Sequence, residues 1–325
     1  MTSVDGMANS PQRRTRAETL RFEDGSVILI AQDREFRVHR SLLSRESSVF
    51  RDMFSFPPPA DMPTEHGCPI VTLSDDAGYL QSLLGVIYDR DFYRGSSLDQ
   101  MSYHERIEIS TGIICLAHKY GMNNLFQEAF WRLQQEYPTS FYSFHRLAHV
   151  YPSKHSRSEV QFALIRLIGV ARAIPAPELK DMIPVLFYLG TQLRDDVLLN
   201  GVLRGDGSQA RLHSDDLRTC IEGRASLVAA NTSAMLCFRP MLKNLSRRCT
   251  SQNACFTSLV KMVCDGMEEG VFAHADLLRD MTEWVKEGNT RWHLCGVCVE
   301  QLLMNHSEAR KAVWEELATI FHLAP

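Results

Sequence analysis

The stretch FEDGSVILIAQDREFRVHRSLLSRESSVFRDMF, from Phe22 to Phe54, decides the fold. Val27, Ile28, Leu29 and Ile30 form an apolar run rich in β-branched residues, the composition of a buried strand. Gln32, Asp33 and Arg34 are polar turn residues. Phe36 and Val38 then alternate with Glu35, Arg37 and His39, which is the period of a half-buried strand. Leu42, Leu43, Val49, Phe50, Met53 and Phe54 follow at helical spacing. The expectation is strand, turn, strand and two short helices with almost no spare residues.

Working outward, SFPPPADMPTEHGCP follows directly, with five prolines between Pro57 and Pro69. Proline lacks the N–H a ladder needs, so this segment is expected to be a surface loop without regular structure. Ile70 to Leu73 reads as a third strand. Asp75 and Asp76 offer cap chemistry for a helix carrying Tyr79, Leu80, Leu83, Leu84, Ile87 and Tyr88. The polar stretch DRDFYRGSSLDQMSYHE is expected to be a connection. Ile109, Ile113, Leu116, Ala117 and Tyr120 fit one amphipathic helix, and Met122, Leu125, Phe126, Ala129, Phe130 and Leu133 fit the next, with Gly121 as the cap between them. Residues 18–137 therefore read as an α+β domain, a small three-strand sheet flanked by helices. Residues 1–17, with Arg13, Arg14 and Arg16, read as a disordered tail. Residues 138–325 read as an all-α region: a well-buried helix over Phe162 to Ala173, a segment punctuated by Pro175, Pro177 and Pro184, a loop over GVLRGDGSQARLHSDD, and helices marked by Phe256 to Met267, Leu277 to Val285 and Val313 to Phe321.

Bulk properties narrow the function classes. The chain has 325 residues, 45% of them apolar, enough for two or three domains. Its 35 basic and 39 acidic residues leave a net charge of −4, which is no electrostatic footprint for nucleic acid and no polybasic membrane anchor. The first 18 residues lack the apolar core of a signal peptide, and no run reaches the roughly 18 apolar residues of a membrane span. Nine cysteines in that context are expected to be reduced thiols, and the expected location is cytoplasm or nucleus.

Three blocks then resemble a known family: HRSLLSRESSVFRDMF, IVTLSDDAGYLQSLLGVIYD and ICLAHKYGMNNLFQEAFWRLQQEYP. With Phe36 just before the first, His39, Arg40, Leu43, Ser47, Phe50 and Met53 in it, Leu73 and Asp75 in the second, and the Ala117 to Gly121 block with Leu125 in the third, they resemble a BTB/POZ domain. The remainder resembles the C-terminal half of fungal BTB-domain proteins, especially those of mushroom-type fungi: Asp215, Asp216, Leu217, Cys220, Gly223 and Arg224 in one block, and CTSQNAC, LCGVC and VWEELATIFHL in others. In the last, Ala318 and His322 stand where proline and glycine are expected. The resemblance implies a non-enzymatic protein that self-associates, possibilities being a homodimer through this domain, or recruits protein partners; the alternatives are a substrate adaptor of a cullin-type ubiquitin ligase and a transcription-regulator scaffold. Two positions depart from the specialised members. Ser26 stands where transcription-factor domains pair Arg40 with an aspartate, although Asp24 is close. The apolar-x-Glu motif of many cullin binders is absent, since Pro63 and Thr64 precede Glu65.

One cluster type could bind a metal. Cys249-x5-Cys255 precedes Cys295-x2-Cys298 by about forty residues, and a C-x2-C pair can turn both thiolates toward one tetrahedral ion. The readings are a structural zinc site with His293 as a substitute ligand, reduced thiols acting as small hydrophobes, or a disulfide or redox switch. Cys264 is expected in the core beside Val260 and Val263. No catalytic residues emerge: there is no G-x-S-x-G elbow and no H-E-x-x-H, and Asp75–Asp76 and Asp215–Asp216 read as helix caps. No small-molecule substrate is indicated.

Overall fold

The computed structural model describes residues 15–57, 59, 61–90, 93, 96–147, 157–205, 207–233, 237–272 and 275–323. It divides into two compact units, Met1–Arg132 and Leu133–Pro325.

The first unit is built on a five-stranded sheet: β1 (Thr15–Arg21), β2 (Val27–Ala31), β3 (Arg34–Val38), β4 (Thr64–Glu65) and β5 (Cys68–Leu73), in the order β1-β3-β2-β5-β4. The apolar run becomes the central strand. All five residues of β2 are buried, with Ile28 and Ile30 against Cys68 and Ile70. β3 returns antiparallel to β2, in the register Val27↔Val38 to Ala31↔Arg34, and β5 lies parallel on its other side.

Two strands were not expected. Of the tail assigned to residues 1–17, residues 1–14 lie outside the described residues, while Thr15–Ala17 belong to β1, which runs parallel to β3 and satisfies its outer edge. Leu20 buries itself there, and Arg21 pairs with Glu35, which is itself buried, at 2.5 Å. The proline-rich stretch was expected to lack regular structure, yet Thr64–Glu65 pairs with β5 through a turn at His66 and Gly67, both at positive φ (50° and 73°). Pro69 fits because the flanking ladder bond runs from the Ile70 N–H to the Pro63 carbonyl, and pairing with β2 starts only at Ile70.

Around the sheet stand α1 (Arg40–Glu46), α2 (Ser48–Ser55), α3 (Ala77–Tyr88), the short α4 (Ser96–Asp99), α5 (Tyr103–Lys119) and α6 (Asn123–Glu136), the last crossing the boundary between the units. Leu43 and Phe50 are buried, but Val49 faces solvent, because only one side of α2 meets the core. The expected connection before residue 109 is partly helical. α5 begins six residues earlier than the apolar pattern indicates: Glu105 accepts hydrogen bonds from the N–H and Oγ of Ser102, and Tyr93, Leu98 and Tyr103 are buried. Gly112 lets α5 approach α3; a Cβ there would lie 2.6 Å from the Tyr79 ring. Gly121, at φ 64°, ends α5, with Met122 N–H bonding Ala117 O and Gly121 N–H bonding His118 O.

The second unit is helical: α7 (Phe141–Leu147), α8 (Arg157–Ala173), α9 (Pro177–Thr191), α10 (Asp195–Asn200), α11 (Ser214–Ser233), α12 (Arg239–Lys243), α13 (Gln252–Glu268), α14 (Thr282–Thr290) and α15 (Gly296–Ile320). The stretch after α10, expected as a loop, contains a small ribbon of β6 (Val202–Leu203) and β7 (Gln209–Ala210); Gly201, at φ 74°, passes so close to Ala210 that no side chain fits. α9 continues through Pro184, one of the three prolines read as punctuation. Burial of Ile183, Val185, Leu186, Phe187 and Tyr188, at about 1.5–3 kcal/mol each, outweighs the roughly 3 kcal/mol cost of an internal proline.

Candidate functional site

Asp75 is buried and does not cap α3; that role falls to Asp76, whose Oδ1 accepts from the Tyr79 N–H at 3.0 Å. Asp75 instead receives Lys119 Nζ at 2.6 Å and the Tyr120 hydroxyl through a short hydrogen bond. Burial, followed by the Asp75 hydrogen bond and charge, drives the Tyr120 phenol well above its ordinary pKa. The Tyr120 ring stacks on Phe50 at 4.4 Å, and its carbonyl accepts from Ser47 Oγ at 2.7 Å. Ser47 also caps α2 by accepting from the Phe50 N–H at 3.0 Å. One network thus unites Ser47, Phe50, Asp75, Lys119 and Tyr120, residues drawn from all three sequence blocks.

The exposed end of the same unit is equally engaged. His39 meets the Tyr88 hydroxyl with its N–H (2.7 Å) and Nδ1 (2.8 Å), and its Nε2 lies 3.1 Å from Asp24. Arg40 sends Nη2 to the Phe54 carbonyl at 2.9 Å and lies over the Phe54 ring at 4.9 Å. Ser26 accepts from the Arg40 N–H at 3.0 Å. Phe36 and Leu43 are fully buried. These polar groups hold elements together, and none is placed as an acid, base or nucleophile beside another. The arrangement is a compact α+β frame.

A family model of the BTB/POZ domain matches residues 23–136. No curated protein matches the chain. The N-terminal part is accordingly a BTB/POZ domain, a protein-interaction module, followed by a helical C-terminal region.

The second unit carries the metal-ligand candidates. Cys249, Cys255, Cys295 and Cys298 converge, with all four Sγ atoms within 4.8 Å of one another and Cys295 Sγ 3.8 Å from Cys249 Sγ. None is in a disulfide. Cys255 lies in the first turn of α13, Cys295 precedes α15 and Cys298 lies in its first turn, so two helix starts and one loop meet here. Cys255 and Cys298 are buried against Leu259, Val299 and Leu302, while Cys249 and Cys295 are partly exposed. The Cys295 N–H donates to Cys255 Sγ at 3.4 Å. Burial raises the Cys295 thiol, but hydrogen bonds from the backbone of Thr250 and Cys298 and from the Cys298 and Cys255 thiols outweigh it and bring its pKa down to about 6. Burial, with the neighbouring sulfurs, pushes Cys298 up. Four clustered sulfur donors suit a soft, tetrahedral metal ion.

Two expectations fail around this cluster. His293 is exposed, at φ 60°, and stands outside the sulfur group. Cys264 is exposed as well, because α13 buries Leu259, Met262 and Val263 and turns Val260 and Cys264 outward.

Sequence reasoning missed a buried polar network centred on Arg310. Its Nε donates to the Leu278 carbonyl at 2.8 Å and Nη1 meets His145 Nδ1 at 2.9 Å. The Tyr188 hydroxyl makes a short hydrogen bond to Asp276 and accepts from the Leu278 N–H at 3.0 Å. The signal lay in periodicity: His306, Arg310, Val313 and Leu317 occupy one buried stripe of α15, but only its apolar half stands out by composition. Asp216, expected as a cap before the helix, lies in the first turn of α11, buried, with its Oδ1 3.2 Å from Arg172 Nε.

Proposed function

We propose that this is a non-enzymatic interaction protein whose BTB/POZ domain associates with a second copy or with a partner protein. The match over residues 23–136 carries the reading. Self-association is the form the surface favours. β1 is an edge strand, and an edge offers unpaired N–H and C=O groups to another chain. Val49 and Phe56 (43% and 71% exposed) add apolar area on and just after α2. The narrower roles of cullin adaptor or transcription-regulator scaffold, a place in cytoplasm or nucleus, and kinship with fungal BTB proteins belong to the same proposal. Ser26 and Arg40, bonded to each other and to Phe54, support neither specialised role by themselves.

Sedimentation equilibrium of the intact chain at micromolar concentration is the test. A dimer is expected; a strict monomer would overturn self-association. Recovery of a cullin with the tagged chain would select the adaptor role, and its absence from the recovered proteins would reject that role.

A further inference from the structure

The sulfur cluster of the C-terminal unit supports a reading independent of the BTB/POZ domain. We propose that Cys249, Cys255, Cys295 and Cys298 form a closed, four-thiolate zinc site that folds with the C-terminal unit and clasps the start of α13 to the start of α15.

Geometry supports it first. Zinc–thiolate bonds of about 2.3 Å in a tetrahedron put sulfurs about 3.8 Å apart. The Cys295–Cys249 separation is 3.8 Å, and the other pairs lie within 4.8 Å, so only small inward shifts are needed. This distance is also far beyond a disulfide bond, and all four cysteines are free.

The surroundings fit as well. Thiolates need donors to stabilise them, and the backbone N–H groups of Thr250, Cys295 and Cys298 point at cluster sulfurs. Arg247 and Arg248 immediately precede Cys249, bringing positive charge next to a site whose four thiolates leave two negative charges in excess of the ion's. No carboxylate or histidine joins the group among the described residues. Four protein ligands fill a tetrahedron, so no position is left for water or substrate, and the role is structural.

The asymmetry of the ligands gives the site its mechanical meaning. Cys255 and Cys298 are buried on helices that already pack together through Leu259, Val299 and Leu302. Cys249 sits in the loop between α12 and α13, near the surface. Loading releases the thiol protons to solvent and draws this loop onto the helical pair. Metal loss frees Cys249 and its loop first.

The test uses the full chain purified without chelator from zinc-supplemented cells. Elemental analysis is expected to find one zinc per chain, released in step with an organomercurial thiol reagent, and cobalt(II) is expected to replace it with the absorption of a tetrahedral thiolate complex. Cys249→Ser and Cys295→Ser should each lower metal content at least tenfold, while Cys264→Ser, outside the group, should retain one equivalent. Should the ligand variants fail to fold, the mercurial titration of the folded parent chain still decides. Absence of both zinc and cobalt uptake, iron in place of zinc, or a disulfide among the four in non-reduced peptide maps would overturn the site. None of these outcomes bears on the sedimentation result, so the zinc site and the interaction role stand or fall separately.

Discussion

Asp75 shows how a residue that looks like a cap can hold a domain together. A carboxylate removed from water is tolerated only when its oxygens are matched, here by Lys119 and Tyr120. Asp75→Asn keeps the shape and removes the charge. It is expected to cost about 2 kcal/mol, read as a lower urea midpoint for the N-terminal unit, because hydrogen bonds to a charged group lose most of their strength. His306 gives the second case. Burial, reinforced by the Arg310 charge, lowers its pKa to about 4 against an ordinary 6.5. The folded chain therefore keeps it neutral while the unfolded chain takes up a proton. Stability from this group is complete above pH 6.5 and is lost as pH falls toward 4, by up to about 3 kcal/mol. Urea midpoints measured between pH 7 and pH 4.5 should fall less steeply for His306→Gln than for the parent; identical slopes would refute the assignment.

At the scale of elements, the end of α15 shows where the backbone is strained. α15 closes with Leu323 N–H on Ala318 O (2.9 Å) and His322 N–H on Thr319 O (3.0 Å), which places residue 322 at positive φ (52°). Glycine is the usual occupant, and here it is histidine. The helix thus ends with the left-handed backbone imposed on a residue that carries a side chain. His322→Gly should raise stability by about 0.5–1 kcal/mol, seen as a higher midpoint in chemical denaturation. The block from Asp216 to Arg224 is explained at the same level. Cys220 packs against Gly190, Gly223 leaves no room for a Cβ beside Phe321, and Arg224 bonds the Thr191 and Leu193 carbonyls at the end of α9.

For the whole molecule, charge offers little to drive association. Acidic and basic residues nearly balance, and cations such as Arg224 and Arg291 pair with Asp195 and Glu269 within the chain at surfaces where salt screens them. If the BTB/POZ domain dimerises, it does so by strand edges and apolar area. The sedimenting dimer is expected to persist from 0.1 M to about 1 M salt, over which the screening length falls from about 10 Å to about 3 Å. Dissociation across that range would show that ion pairs hold the dimer.

Much of this was legible in the linear chain because it depends on local periodicity. The run Val27–Ile30, the alternation Glu35–Val38 and the apolar stripes of α3, α5 and α6 are repeated patterns whose period states the element, and their order defined the α+β class and the BTB/POZ resemblance. The four cysteines were legible as a candidate set from the C-x2-C spacing, with small-hydrophobe and redox readings open beside metal binding, and only the fold brings their sulfurs within 4.8 Å of one another. What tertiary structure alone decided concerns pairing between distant residues. β1 and β4 carry no alternating apolar pattern and become strands because β3 and β5 present open edges. Asp75, Asp216 and Arg310 have no local signal that separates a buried partner from an exposed cap. Cys264 and His293 carry the right chemistry but lie on the wrong side of the backbone. Periodicity says which residues share a face; only the packed fold says what that face meets.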